Sequence, residues 1–303
     1  MNPPRLNAIS VDVEDYFQVA ALAEAISREE WGGIPSRVES STTLLLDVFD
    51  EADVKATFFT LGWIAERHPG LVREIHRRGH EIACHGYSHR LIYDQDPKEF
   101  RDETQRAKAV LEELTGEAVA GYRAASYSIT TKSLWALDVL VEAGFVYDSS
   151  IFPVRHDIYG VPGAERFPHV LRTRTGASLI EFPPSTVRVF GQNVPAPGGG
   201  YFRFYPYAVS RWLIGRVNSV ERQPAVFYLH PWEVDTGQPR VSASLRSRFR
   251  HYLNLHKCES RLRRLLRDFR FGPVREVLRQ HGLMGRHGPV GERQPPGCAL
   301  SLE

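Results

Sequence analysis

The chain has 303 residues, 42% of them hydrophobic and 24% charged, with a formal net charge of +2. That length and mix suit one large α/β domain and exclude general disorder. No stretch approaches the ~20 apolar residues needed to cross a bilayer, and no apolar signal run precedes the first strand, so a cytoplasmic location is expected.

Asn7 to Val13 reads as a strand, and the segment NAISVDVEDYF closes on three carboxylates, Asp12, Glu14 and Asp15. In extended chain Asp12 and Glu14 share a face while Val13 points away. Asp15 is also placed to cap a helix over Phe17 to Ile26. A second strand, Lys55 to Leu61, is followed by a helix that closes over Val72 to Arg78 and stops at Gly79. The strand Glu81 to Cys84 then leads into CHGYSHR. On one helical turn, the four-residue spacing of His85 and His89 puts both imidazoles on one face, where a carboxylate from elsewhere would complete a site for a divalent cation.

A helix over Pro97 to Leu114 has Asp96 as N-cap, Pro97 in the first turn and Gly116 past its end. Ala118 to Tyr122 is the next strand, running into Arg123 of GYRAASYSI; a helix over Thr131 to Ala143 stops at Gly144. Phe145 to Tyr147 leads to Asp148, Ser178 to Phe182 follows, and Ala225 to Leu229 leads to His230 of LHPWE. Between the last two lies PAPGGGYFRFYPY, glycines followed by aromatics of the kind a carbohydrate site uses. Those glycines lack the Lys-Ser/Thr of a phosphate loop, which leaves nucleotide binding unsupported. No nucleic-acid partner is expected.

Seven strands alternating with helices predict an α/β fold, a distorted and incomplete (β/α)7 barrel. In such a barrel the carboxyl ends of the strands gather at one face. Asp12, His85, Arg123, Asp148 and His230 each follow a strand and should converge there. Lysine plus arginine number 24 against 31 acidic residues over 1–239, but 12 against 3 over 240–279. A catalytic domain over 6–239 is therefore expected to carry a basic helical C-terminal appendage over 240–284. Its segment ESRLRRLLRDF is amphipathic, with an arginine-rich face that is either solvated or turned to an anionic polymer or membrane surface. A Gly/Pro-rich tail over 285–303 is expected to be disordered. The cysteines, Cys84, Cys258 and Cys298, are too scattered for a disulfide framework.

Four blocks in this order, an Asp-rich strand end, HxxxH, an Arg block and a late Leu-His pair, resemble the polysaccharide deacetylase family, whose NodB-homology domain is shared with the chitooligosaccharide deacetylases of nodulation. The resemblance covers Leu6 to Asp235. GGGYFRFYPY is similar to the subgroup found beside exosortase and exopolysaccharide gene clusters. What the resemblance implies is a metal-dependent hydrolase that removes N-acetyl groups from amino sugars of an N-acetylated polysaccharide, with Zn2+ as the expected cation, although such ligands also suit other first-row metals.

By the same resemblance, His85, His89 and a carboxylate ligate the metal. The family's second aspartate is replaced by Val13, so Glu14 is the expected ligand and Asp15 the reserve. Asp12 is the general base, Arg123 holds it, and His230 is the general acid. Asp148 either orients His230 or caps a turn. Ala125 stands where the family has proline, loosening the loop whose amide near Ser126 stabilises the oxyanion. Tyr127 lines the acetyl pocket, Tyr201 and Arg203 contact substrate, and Trp232 offers a flat face to a sugar ring. Two rival readings stand beside this one: a metal-independent ureide hydrolase on the same fold, and an inactive carbohydrate-binding module.

Overall fold

The computed structural model describes residues 5–156 and 158–285; all but the first residue of the expected tail, and Cys298 with it, lie outside the described residues. The strands are β1 (Leu6–Val13), β2 (Thr57–Thr60), β3 (Glu81–Cys84), β4 (Gly121–Tyr122), β5 (Tyr147–Asp148), β6 (His169–Arg172), β7 (Ser178–Glu181), β8 (Thr186–Val189), β9 (Gln192–Pro195), β10 (Val226–Leu229) and β11 (Arg270–Gly272). The main sheet runs β10-β1-β2-β3-β4-β5-β7-β6. Its first seven strands are parallel neighbours and correspond to the seven expected from sequence. β6 adds an antiparallel edge on β7, and β8 and β9 form a separate hairpin. The strand path does not close on itself among the described residues, as an incomplete barrel requires.

Alternation along β1 divides the molecule into an outer and an inner layer. Ile9, Val11 and Val13 join the large apolar cluster formed with the helices. Ala8 faces a second cluster inside the sheet, with Phe59, Ala83, Tyr147, Ile180 and Phe182. Phe59 is fully buried, and burial of a side chain of that size contributes about 1.5–3 kcal/mol. Ser10 and Asp12 continue the inner face, where apolar packing gives way to polar groups.

The helix Pro97–Thr115 begins at an Asp96/Glu99 capping box and ends at Gly116 with φ +69°, following its sequence signals. The expected helix over 131–143 is shortened to Ala136–Glu142. Ser133 Oγ accepts from the Thr130 amide and donates to the Ser128 carbonyl, so the chain turns before it coils. Over 17–26 there is only a 3-10 turn, Ala20–Leu22. This loop is held by its aromatic side chains: Phe17 and Trp31 pack edge-on against Trp63.

The C-terminal segment is built into the sheet as well as packed on it. Leu262, Leu265 and Leu266 of the helix Leu255–Asp268 are buried, as their spacing required. β11 then pairs in parallel with β1. Ala8 partners both Val226 and Gly272, while Val11 partners Leu229 and Phe58, so β11 occupies the same edge of β1 as β2. The Val274 and Arg275 amides donate to Thr57 Oγ1 and a Glu81 carboxylate oxygen at 2.8 and 3.0 Å. Val274, Val277 and Leu278 thereby close the inner cluster at the amino ends of the strands. The site lies at the other end.

Candidate active site

At the carboxyl end of β1, Asp12 Oδ1 accepts from Arg123 Nη1 at 2.6 Å. The same nitrogen donates to Ser10 Oγ at 2.7 Å, and Arg123 Nη2 donates to Ser149 Oγ at 3.0 Å. Arg123 is fully buried, its guanidinium 4.1 Å from the Phe59 ring centre. Burial alone would lower the guanidinium pKa, but Asp12 outweighs it and the group is held above its ordinary value.

Two residues on, on the same face, Glu14 meets the histidines. Ligand atoms of Glu14, His85 and His89 all lie within 4.8 Å of one another, and all three residues are buried. His89 Nε2 is 2.9 Å from Glu14 Oε2. His85 Nδ1 lies 2.8 Å from the Arg123 carbonyl; donation there leaves Nε2 with a free lone pair, the usual arrangement of a ligating histidine. Burial would raise the Glu14 carboxyl, yet the charges of His89, His230 and His85 pull it down to about 2. Burial holds His85 near 4, so it is neutral at neutral pH, as ligation demands. A buried carboxylate oxygen with no hydrogen bond of its own, Glu14 Oε2, facing imidazole nitrogens fits a divalent cation.

The histidine pair comes together for a reason other than the one expected from spacing. Residues 85–89 are a loop, not a helical turn. Gly86 at φ +76° and His89 at φ +52° curl the chain back on itself. The Gly62 and Trp63 amides grip the loop through the Gly86 and Tyr87 carbonyls at 2.9 and 3.1 Å. Asp15, the reserve ligand, lies outside the cluster. Its carboxylate accepts from Ser36 Oγ and from the amides of Tyr16, Arg37 and Val38, tying the strand end to the start of the helix Val38–Glu51.

His230, at the end of β10, directs Nε2 at the cluster, 3.6 Å from Glu14 Oε1 and 3.9 Å from Asp12 Oδ2. Its Nδ1 is 2.7 Å from Glu233 Oε1. Burial would lower its pKa, but Glu14, Glu233 and Asp12 outweigh this and raise it to about 9. The imidazole therefore holds a proton at neutral pH.

Two expected roles are corrected, and one of the two left open for Asp148 is excluded. Asp148 does not orient His230: its carboxylate accepts from Ser150 Oγ and faces Glu181, and the partner of His230 is Glu233. Trp232 offers no free face to a sugar. It is 6% exposed and stacked between His230 and His251 at 5.2 and 4.3 Å, with Nε1 donating to Glu14 Oε1 at 3.1 Å. Arg203 is 2% exposed; it pairs with Glu233 and donates to the carbonyls of Arg250, His251 and Leu253. None of its reach is left for substrate.

The other expected contacts stay near the site. Ser126 and Tyr127 both have positive φ, +50° and +55°, and Tyr127 packs with Phe152, Val154 and Tyr228. Tyr201, partly exposed, shares a hydrogen bond of 3.0 Å with Tyr159 at the edge of that aromatic cluster. The glycines before it serve close packing: a Cβ on Gly198 would stand 2.4 Å from the Tyr228 ring. Sequence reasoning missed Ser10, Glu233 and His251. Ser10 was findable from its parity with Asp12, and Glu233 from its place three residues after His230, whereas nothing local marks His251.

The polysaccharide deacetylase family model matches residues 33–146, and a second model, described as a domain of unknown function (DUF3473), matches residues 149–279. YheN of Bacillus subtilis, assigned as a polysaccharide deacetylase, is 32% identical over 48% of this chain and 55% of its own. The peptidoglycan-N-acetylglucosamine deacetylase of Bacillus cereus is 38% identical over 25% of this chain and 28% of its own. The chain thus spans about half, or less, of the length of these relatives. Among solved structures, a Mycobacterium smegmatis protein assigned as a polysaccharide deacetylase matches with TM-score 0.59 at 21% identity over 97% of each chain. The PuuE allantoinase matches with TM-score 0.57 at 16% identity, over 92% of this chain and 93% of its own. At these identities the structural likeness establishes the fold alone, an α/β architecture with a mostly parallel sheet. The family model and these relatives show a likeness to polysaccharide deacetylases over the segment that carries His85, His89 and Arg123.

Proposed function

We propose that this protein is a metal-dependent hydrolase that removes N-acetyl groups from amino sugars of a polysaccharide. The observation that carries the reading is the placement of Asp12 and His230 beside the Glu14/His85/His89 cluster, with His230 Nε2 within 4 Å of the Asp12 and Glu14 carboxylates. Binding alone would not require a buried base and a charged imidazole at the same spot. The three cluster residues would hold the cation and leave coordination positions open, the feature that separates catalytic from structural sites. When bound, such a cation activates water at neutral pH and polarises the amide carbonyl. Zn2+ suits two imidazoles and one carboxylate.

The remaining work falls to this chain's own residues. Asp12, held by Arg123, takes the proton of the attacking water. His230, carrying its proton at Nε2, gives it to the departing amine. The loop at Ser126 supports the oxyanion, and Tyr127 lines the acetyl pocket. Tyr201, partly exposed beside that pocket, is the sugar contact.

An exopolysaccharide as the polymer rests on the likeness of GGGYFRFYPY to the exosortase-associated subgroup. No described helix is long and apolar enough to cross a membrane, and we place the reaction in the cytoplasm, with the basic helix Leu255–Asp268 as a peripheral contact. Catalysis by a ureide hydrolase on the same fold would not need the three-ligand cluster. Acetate release from N-acetylglucosamine oligomers, abolished by a chelator and restored by Zn2+, is the expected result. Metal-independent hydrolysis of a ureide, or sugar binding without turnover, would replace this reading with one of its rivals.

A further inference from the structure

Residues 149–279 match a family model to which no function is attached, yet the candidate site is incomplete without them. The segment matched by the deacetylase model carries His85, His89 and Arg123, while Asp12 at the end of β1 and Glu14 just after it come from outside both matches. His230 comes from the second segment. So does a buried assembly behind it. Arg203 pairs with Glu233 at 2.5 Å, and Glu233 in turn holds His230 Nδ1 at 2.7 Å and accepts from the His230 amide at 3.1 Å. Glu233 is fully buried and Arg203 nearly so. Two buried charges held in this way fix one orientation of a ring, because neither can turn to solvent.

Trp232 has the second position in the assembly. Its indole N–H is bonded to Glu14 Oε1, and its ring lies between His230 and His251 with interplanar angles of 21° and 16°. His251 is 1% exposed, and its Nε2 is 2.6 Å from Gln238 Oε1, while Gln238 Nε2 donates to the Trp232 carbonyl at 2.7 Å. Arg203 clasps the carbonyls of residues 250, 251 and 253 from the other side. The strap His230-Pro231-Trp232-Glu233 is thus locked to the chain beyond residue 238.

We infer that the function of the 149–279 segment is to supply the proton donor and to position both halves of the site: Glu233, backed by Arg203, sets the His230 ring, and Trp232, backed by His251, sets the Glu14 carboxylate. Glu233 and Trp232 are positioning residues, since each acts through another group. The inference rests on the proposed deacetylase reading for the role of His230, but not for the two contacts themselves.

The two arms make opposite predictions. Glu233→Ala should lower kcat about 10–100-fold, with KM and Zn2+ affinity unchanged. Trp232→Phe keeps a ring against His230 but removes the N–H, and should weaken Zn2+ binding about ten-fold or more. Glu233→Gln, which can still accept from Nδ1, should recover part of the lost kcat. Zn2+ affinity is read by calorimetry, and the His230 ring by 15N NMR of the metal-free protein, where the hydrogen-bonded Nδ1 proton should vanish in Glu233→Ala. Both of these readouts hold whether or not the substrate is an acetylated sugar. Wild-type kcat or an unchanged Nδ1 signal in Glu233→Ala would overturn the first arm, and wild-type Zn2+ affinity in Trp232→Phe the second. Parallel loss of metal and turnover in both variants would also overturn the inference, because it would mark a common structural role.

Discussion

Asp12 and Arg123, 111 positions apart in the chain, form a buried pair 2.6 Å apart. The guanidinium also donates to Ser10 Oγ and Ser149 Oγ, so the Asp12 carboxylate is set by a group whose other donors are already engaged. Lysine cannot reproduce that set of donors. Arg123→Lys is expected to lower kcat about 100-fold through misplacement of Asp12. Arg123→Met leaves Asp12 buried and unpaired and should cost about 3–5 kcal/mol of stability, measured by chemical denaturation.

The loop that brings His85 to His89 depends on the absence of a side chain at Gly62. A Cβ there would stand 2.6 Å from the Tyr87 ring and 3.0 Å from the Ala107 backbone. Gly62→Ala should therefore destabilise the fold by about 1–3 kcal/mol and weaken Zn2+ binding, because the amide of residue 62 also anchors Gly86. Thermal unfolding with and without Zn2+ checks both. A variant with unchanged unfolding would show that the loop yields easily.

Asp148 and Glu181 sit side by side beneath the site, and burial raises both carboxyls, Asp148 to about 6 and Glu181 well above its ordinary value. An acid whose pKa is higher folded than unfolded stabilises the fold fully below its unfolded value and loses that contribution as pH rises through the folded one. For Asp148 the window runs from 3.8 to about 6. Metal-free protein should lose stability from this carboxyl pair as pH rises across that window. Asp148→Asn should flatten that part of the curve, as followed by urea denaturation at a series of pH values.

How much of this was legible depended on whether the cause was local. Strand parity placed Asp12 and Glu14 together and sent Val13 outward, as found. Capping chemistry located the helix Pro97–Thr115 nearly to the residue. The seven parallel strands followed from alternating runs, whereas three-residue β11 was too short to leave a pattern. The HxxxH spacing suggested a helical turn, but two residues with positive φ make the pair meet on a loop. Trp232 and Arg203 looked like ligand-binding residues because tryptophan and arginine often are. Their real partners, Glu14, His251 and Glu233, are set by tertiary packing that no window of sequence contains. The same holds for the loss of Asp148 as the partner of His230.

The central claim is that one cation is held by Glu14, His85 and His89 beside Asp12, the proposed base. Metal content and acetate release from N-acetylglucosamine oligomers, measured side by side for wild type, Asp12→Asn and His89→Ala, test it most directly. The expected pattern is retained metal with turnover lowered about 100-fold or more in Asp12→Asn, and lost metal with lost turnover in His89→Ala. Full turnover in metal-free His89→Ala protein, or undiminished turnover in Asp12→Asn, would contradict it.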